Sequence, residues 1–186
     1  RAFIDDAYVF GQISANHSLS DLFAMGAEAQ SALAIATIPY GIESKVEDTV
    51  RQLMAGAMKV LEDAGAALVG GHTSEGAELA LGFSAHGLID KDRVLRKGGM
   101  MPGDRLILTK ALGTGTLFAA DMQQKAKGRW IQDALKSMLL SNRVAASLVY
   151  EHGATACTDI TGFGLLGHLV EMIRPSEVDV DIHMDR

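Results

Sequence analysis

One apolar stripe lying between two apolar runs narrows the folds open to this sequence more than any other feature. Val46, Val50, Leu53, Met54, Met58 and Leu61 recur at helical spacing. Ser44-Lys45-Val46-Glu47 fits a capping box at the start of that helix, and Gly65 fits its close. "SALAIATIPYG" (31 to 41) precedes the helix and "ALVGG" (67 to 71) follows it, each with the length and composition of a strand. A helix with one apolar face must bury it, and flanking strands supply the sheet to cover.

The neighbouring segments extend the pattern. Residues 7 to 26 carry Val9, Ile13, Leu19, Leu22, Phe23 and Met25 at mostly helical spacing, with Gly26 as a stop. Beyond Gly70-Gly71-His72, where a turn is expected, a further strand runs from Leu79 to Ile89. Adjacent strands in this half favour antiparallel pairing. The segment "DKDRVLRKGGMMPGD" (90 to 104) is rich in charge and glycine and marks a boundary, placed between domains 1–95 and 96–186. In the second half "RLILTK", "ATACTDI" and "VDVDIHM" read as strands. "GTGTLFAADMQQ" reads as a helix, residues 130 to 151 as one long amphipathic helix, and "TGFGLLGHLVEMI" as a turn entering a helix stopped by Pro175. The expected class is α+β.

Composition closes off several functions. Seventeen Lys and Arg against twenty-three Asp and Glu give a net charge of −6 without a basic cluster, which argues against a nucleic-acid surface. No apolar run nears the roughly 18–20 residues of a membrane span. A single cysteine, Cys157, precludes an internal disulfide and points to a reducing, cytoplasmic setting. In a short apolar strand that thiol reads as a small buried hydrophobe. Arg1 at the start and a strand at the end suggest a piece of something longer.

Three stretches could carry chemistry. In "ANHSLSD", His17 and Asp21 lie four residues apart and share a helix face. Asp21 could hold a divalent cation, or the pair could be a solvated surface. Gly70-Gly71-His72 offers backbone without Cβ atoms, N–H groups suited to an anion, and a polar side chain; a plain hairpin turn would use the same residues. In "TDITGFGLLGHL", Asp159 ends a strand just before a glycine-opened helix, whose N-terminus favours phosphate while the aspartate favours Mg²⁺. His168 in that helix reads as an ordinary helix residue.

Taken together, "LSDLFAMGAEAQSALAIATIPYG", "LVGGHTSEGAELALGFSAHGLI" and "ACTDITGFGLLGHLVEM" closely resemble the selenophosphate synthetases (selenide, water dikinases), over nearly the whole chain. The resemblance implies a two-domain aminoimidazole ribonucleotide synthetase-like fold with both domains truncated. It implies synthesis of selenophosphate from ATP, selenide and water, with release of AMP and orthophosphate, and a homodimer formed through the first domain. By motif, Asp21 would bind Mg²⁺ and ATP, Gly70, Gly71 and His72 would contact ATP, and Asp159 would bind Mg²⁺. The family's reactive cysteine or selenocysteine and its lysine are expected upstream of Arg1, so no catalytic residue is assigned here and Cys157 inherits no such role. Many members carry asparagine where this chain has His17, so Asn16 and His17 stay outside the assigned set. Related readings are a thiamine-monophosphate kinase, a hydrogenase maturation protein, a purine-pathway synthetase, or a non-catalytic dimeric paralogue.

Overall fold

In the computed structural model, residues 4–183 are described. The first helix, α1 (Ala7–Ala24), starts where the Asp6 carboxylate accepts the Val9 N–H at 3.0 Å, a side-chain cap for an otherwise free donor. Strand β1 (Glu28–Pro39), helix α2 (Glu43–Asp63), and strands β2 (Ala67–Gly76) and β3 (Ala80–Leu88) complete the first lobe. A short 3-10 turn (Lys91–Arg93) follows. The second lobe carries α3 (Thr114–Met122), α4 (Gly128–Leu139), α5 (Arg143–Glu151) and α6 (Gly164–Ser176).

The three strands form one sheet in the order β2–β1–β3. β1 alternates from Ala32 to Ile38, with Ala29 out of step where the ladder to β3 slips between Ala29 and Ser31. Ala29, Ala32, Ala34, Ala36 and Ile38 are buried beneath the helices, while Leu33 and Ile35 face outward, Ile35 being 60% exposed. The row of alanines lets α1 settle over β3 and β1, and α2 over β1 and β2. The two helices cross backbone to backbone. A Cβ at Gly56 would overlap the Tyr8 carbonyl, and one at Gly11 the Leu53 carbonyl. Leu19, Leu53, Leu61 and Ile38 are the largest side chains fully enclosed by this layer. Phe10, Ile13 and Phe23 fill the space around the crossing. α1 is buried on several sides because α4 and α5 of the second lobe also pack on it, and Ala146 joins its core.

Several sequence expectations need correction here. β1 and β2 run parallel, because the 21-residue α2 between them returns the chain to the same end of the sheet. β2 and β3, although adjacent in sequence, do not pair; they flank β1, and only β1–β3 is antiparallel. Gly70-Gly71-His72 is no turn either, since β2 runs through it to Gly76 and the chain bends only at residues 77 and 78. A bulge at Val69 shifts the register, after which Gly70, Gly71 and His72 face Leu33, Ala34 and Ile35. At Gly71 a Cβ would overlap the Ala34 carbonyl oxygen and stand 2.8 Å from the Ala34 amide nitrogen, and φ is +154°. The glycine there therefore answers to the neighbouring strand. The capping box is not formed: α2 begins at Glu43, Ser44 lies within its first turn, and the N-cap Ile42 makes no side-chain bond. Gly65 closes α2 as expected, with left-handed φ of +76°.

In the second half, residues 105–110, 154–160 and 178–183 form no helix and join no ladder among the described residues; Met184, the end of the last expected strand, lies outside them. Extended backbone becomes a strand only when a neighbour takes its N–H and C=O groups. Ile107 is 77% exposed accordingly. The expected single helix over 130–151 is two helices parted at residues 140–142. Ser141 Oγ accepts the Arg143 N–H, and Asn16 of α1 donates to the Leu139 carbonyl at 3.0 Å. Pro175 does not stop α6. It sits in the last turn, and the helix runs on to Ser176, capped by Glu177 with φ of +54°.

Candidate functional site

Asp21 lies one turn before the end of α1, on its exposed side. Asp159 lies in the second lobe, in the loop that enters α6. The fold brings them within reach of each other's charge. Partial burial and the nearby Asp159 carboxylate raise the Asp21 carboxyl above its ordinary value, while His17 and Lys97 oppose the rise. Two like charges resist joint ionisation in such a place unless a cation joins them.

The lobes are fixed against each other by bonds that surround this pair. Asn142 Nδ2 donates to Ser20 Oγ at 2.6 Å, next to Asp21 in sequence. Asn16 therefore serves the junction, through Leu139. Leu95 N–H donates to the Met25 carbonyl at 3.0 Å, and Cys157 N–H to the Arg96 carbonyl at 2.9 Å. Met25 ends α1 and Cys157 precedes Asp159 by two residues, so one stretch of chain holds both acidic residues in place. Gly99 and Met100 N–H groups both donate to Ser176 Oγ at 3.1 Å. Residues 90 to 104, chosen from sequence as a boundary, thus run along the contact between lobes.

Lys97 belongs to that stretch. Its ammonium is hydrogen-bonded to Glu171 of α6, and this bond is the main cause of its raised pKa, with Asp159 and Asp21 adding to it. Glu171 is correspondingly depressed, first by Lys97 and more weakly by His168. Neither Lys97 nor Glu171 carries a signal visible in the sequence, since one sits in a charged linker and the other on a mixed helix face.

Two carboxylates from different elements are a hard-oxygen set suited to Mg²⁺, which is typically bound by one or two carboxylates together with phosphate oxygens. Among the described residues no three His, Cys, Asp or Glu side chains gather closely enough to enclose a metal by themselves. A cation here would thus share its coordination with a ligand. Cys157 stays a protonated thiol: burial raises its pKa first, and Asp159 raises it further.

Gly70, Gly71 and His72 lie elsewhere. They line a cavity of about 480 Å³ between β1, β2 and α2, with Val50, Leu53 and Met54 opposite. β1 stands between β2 and β3, and α1 packs on β3 and β1 without approaching β2. The chain therefore gathers Asp21, Asp159 and Lys97 into one place and puts the glycine run at the edge of the sheet.

With the geometry in hand, comparison with other proteins is informative. The chain is 43% identical over 182 residues to a selenide, water dikinase of Geobacter metallireducens, covering 98% of this chain and 52% of that protein. It is 41% identical to the selenide, water dikinase of Pelobacter propionicus (96% and 51% covered) and 37% identical to that of Clostridioides difficile (96% and 51%). The chain thus spans about half the length of the relatives it matches. In fold it is similar to thiamine-monophosphate kinase from Stenotrophomonas maltophilia, with a TM-score of 0.78 at 24% identity, covering 92% of this chain and 55% of that one. It is also similar to hydrogenase maturation protein HypE in complex with ATP, with a TM-score of 0.70 at 21% identity, covering 89% and 50%. Residues 1–89 match the AIR synthase related protein N-terminal domain and residues 101–186 the corresponding C-terminal domain, in that order, so the chain belongs to the AIR synthase related family.

Proposed function

We propose that the protein carrying this chain is a selenide, water dikinase, which uses ATP and water to convert selenide to selenophosphate and releases AMP and orthophosphate. The observation that carries the reading is the approach of Asp21 and Asp159 across the contact between lobes, in a chain about 40% identical to proteins of that name. Asp21 and Asp159 would hold Mg²⁺, with Asp21 also contacting ATP; the metal would offset the charge of the triphosphate.

Phosphoryl transfer depends mainly on positioning and charge neutralisation, and the residues of this chain serve those two tasks. Asp21 and Asp159 supply negative oxygen from opposite lobes. The ammonium of Lys97 keeps those charges tolerable in the absence of a ligand. Gly70, Gly71 and His72 lie apart from the two carboxylates, and their assignment to ATP rests on the motif alone. No residue of this chain is assigned as the family's reactive cysteine or selenocysteine or its lysine.

The outward face of the sheet, with Leu33, Ile35 and Val69 exposed, suits pairing with a second copy, in line with a homodimer through the first domain. No described helix is long and apolar enough to cross a membrane, which fits the cytoplasmic setting suggested by the lone cysteine. The test is a ³¹P NMR assay of the full-length protein with ATP, Mg²⁺ and selenide. Selenophosphate, AMP and orthophosphate are the expected products. Turnover with thiamine monophosphate and none with selenide would replace this reading by a kinase of the same fold.

A further inference from the structure

His168 is 5% exposed, on the second turn of α6, with its ring turned back on the loop that carries Asp159. Its Nε2 accepts the Thr161 N–H at 3.0 Å and lies 3.1 Å from Thr161 Oγ1. A ring nitrogen that accepts an N–H carries no proton, so the neutral ring bears its hydrogen on Nδ1. That Nδ1 is fully buried and has no hydrogen-bond partner of its own; Glu171 Oε2 stands 3.6 Å away. The same Glu171 oxygen takes the Lys97 ammonium.

These contacts make a row of side chains. It starts at Thr161, two residues beyond Asp159, passes through His168 and Glu171 on one face of α6, and ends at Lys97 between the lobes. Among the described residues, no other side chain bonds the backbone between Ile160 and Phe163, a turn closed by the Gly164 N–H on the Thr161 carbonyl at 2.9 Å. The Phe163 ring, 5.9 Å from the imidazole, covers the site without fixing the loop.

We propose that His168 is a positioning residue for Asp159. Its Nε2 anchors Thr161 so that the carboxylate two residues earlier meets Asp21, and its Nδ1–H faces the Glu171 carboxylate that fixes Lys97. The inference rests on the reading that Asp21 and Asp159 hold metal-bound ATP. Outer partners of this kind set the orientation of the groups that touch a metal, and their loss costs roughly 10–100-fold in metal affinity.

The experiment uses the full-length protein as wild type, His168→Leu and His168→Gln. Glutamine keeps an acceptor near the position of Nε2; leucine keeps bulk alone. Two readouts need no ATP turnover: the imidazole tautomer from ¹⁵N NMR, and the hydrogen-exchange protection of the Thr161 amide, which His168 accepts. A proton on Nδ1, loss of Thr161 protection in His168→Leu, and its retention in His168→Gln are expected. In catalysis, the KM for Mg·ATP should rise roughly 10–100-fold in His168→Leu, with kcat changed less and glutamine restoring most of it. A proton on Nε2 would overturn the proposal even if the leucine variant did not fold. So would wild-type Thr161 protection and Mg·ATP affinity in His168→Leu. Should the wild type show the expected tautomer and Thr161 protection yet make no selenophosphate, the positioning role would stand and the proposed activity would fall.

Discussion

Replacing Gly71 by alanine tests directly why β2 carries its glycines. The added methyl would overlap the Ala34 carbonyl oxygen and lie 2.8 Å from the Ala34 amide nitrogen. Both atoms are backbone of the central strand, so no rotamer change makes room. Forcing a group into such packing costs about 1–3 kcal/mol. With φ at +154°, a side-chain-bearing residue pays about 1–3 kcal/mol more. The smaller entropy of the unfolded alanine chain returns only about 0.4–1 kcal/mol. The net loss centres near 3 kcal/mol, which in a full-length protein about twice the size of this chain lowers Tm by roughly 3–6 °C. The assay is thermal unfolding of the full-length protein without nucleotide, with Gly82→Ala as control. Gly82 lies on β3, has no atom within 4 Å of a built Cβ, and should tolerate alanine with Tm unchanged or slightly raised. Equal Tm values for the two variants, with ATP binding lost only in Gly71→Ala, would refute the packing argument and leave nucleotide approach as the reason for the glycine.

Gly56→Ala gains about 1 kcal/mol of helix propensity yet drives a methyl to 2.9 Å from the Tyr8 carbonyl carbon, so the α1–α2 crossing must open and chemical denaturation should report a net loss. Asp159→Asn removes one of the causes that raise Asp21, and ¹³C titration of the Asp21 carboxyl should move toward the ordinary aspartate value. Glu171 is depressed below its usual 4.5, so its contribution to stability is present above that pH and is lost as pH falls through the lower folded value. Glu171→Gln should therefore narrow the stability difference between pH 7 and pH 3, by a modest amount because the pair is well exposed.

Periodicity made the first lobe legible. The stripe from Val46 to Leu61 follows from burial of one face, and the structure keeps it. Strand partners were less legible, because a sequence states that a segment is extended without naming its neighbour. The long α2 was the clue to parallel pairing, and adjacency in sequence misled for β2 and β3. Gly70 and Gly71 look alike as turn residues and as residues facing another backbone; only the position of Ala34 separates the two. Asp21 and Asp159 were singled out through their motifs, and in the fold the charge of Asp159 reaches Asp21. Lys97, Glu171 and His168 were missed as a group. They come from a linker and one helix face, and the partners that give them meaning are more than sixty residues away or fixed only by the turn of α6.

The central claim is that Asp21 and Asp159 act as one unit on Mg·ATP. Calorimetric titration of a non-hydrolysable Mg·ATP analogue into the full-length wild type, Asp21→Asn, Asp159→Asn and the double variant tests it most directly. Groups that share one ligand are strongly non-additive, so each single change should weaken binding nearly as much as both together. Single variants that bind like the wild type, or losses that simply add, would show the two carboxylates acting apart.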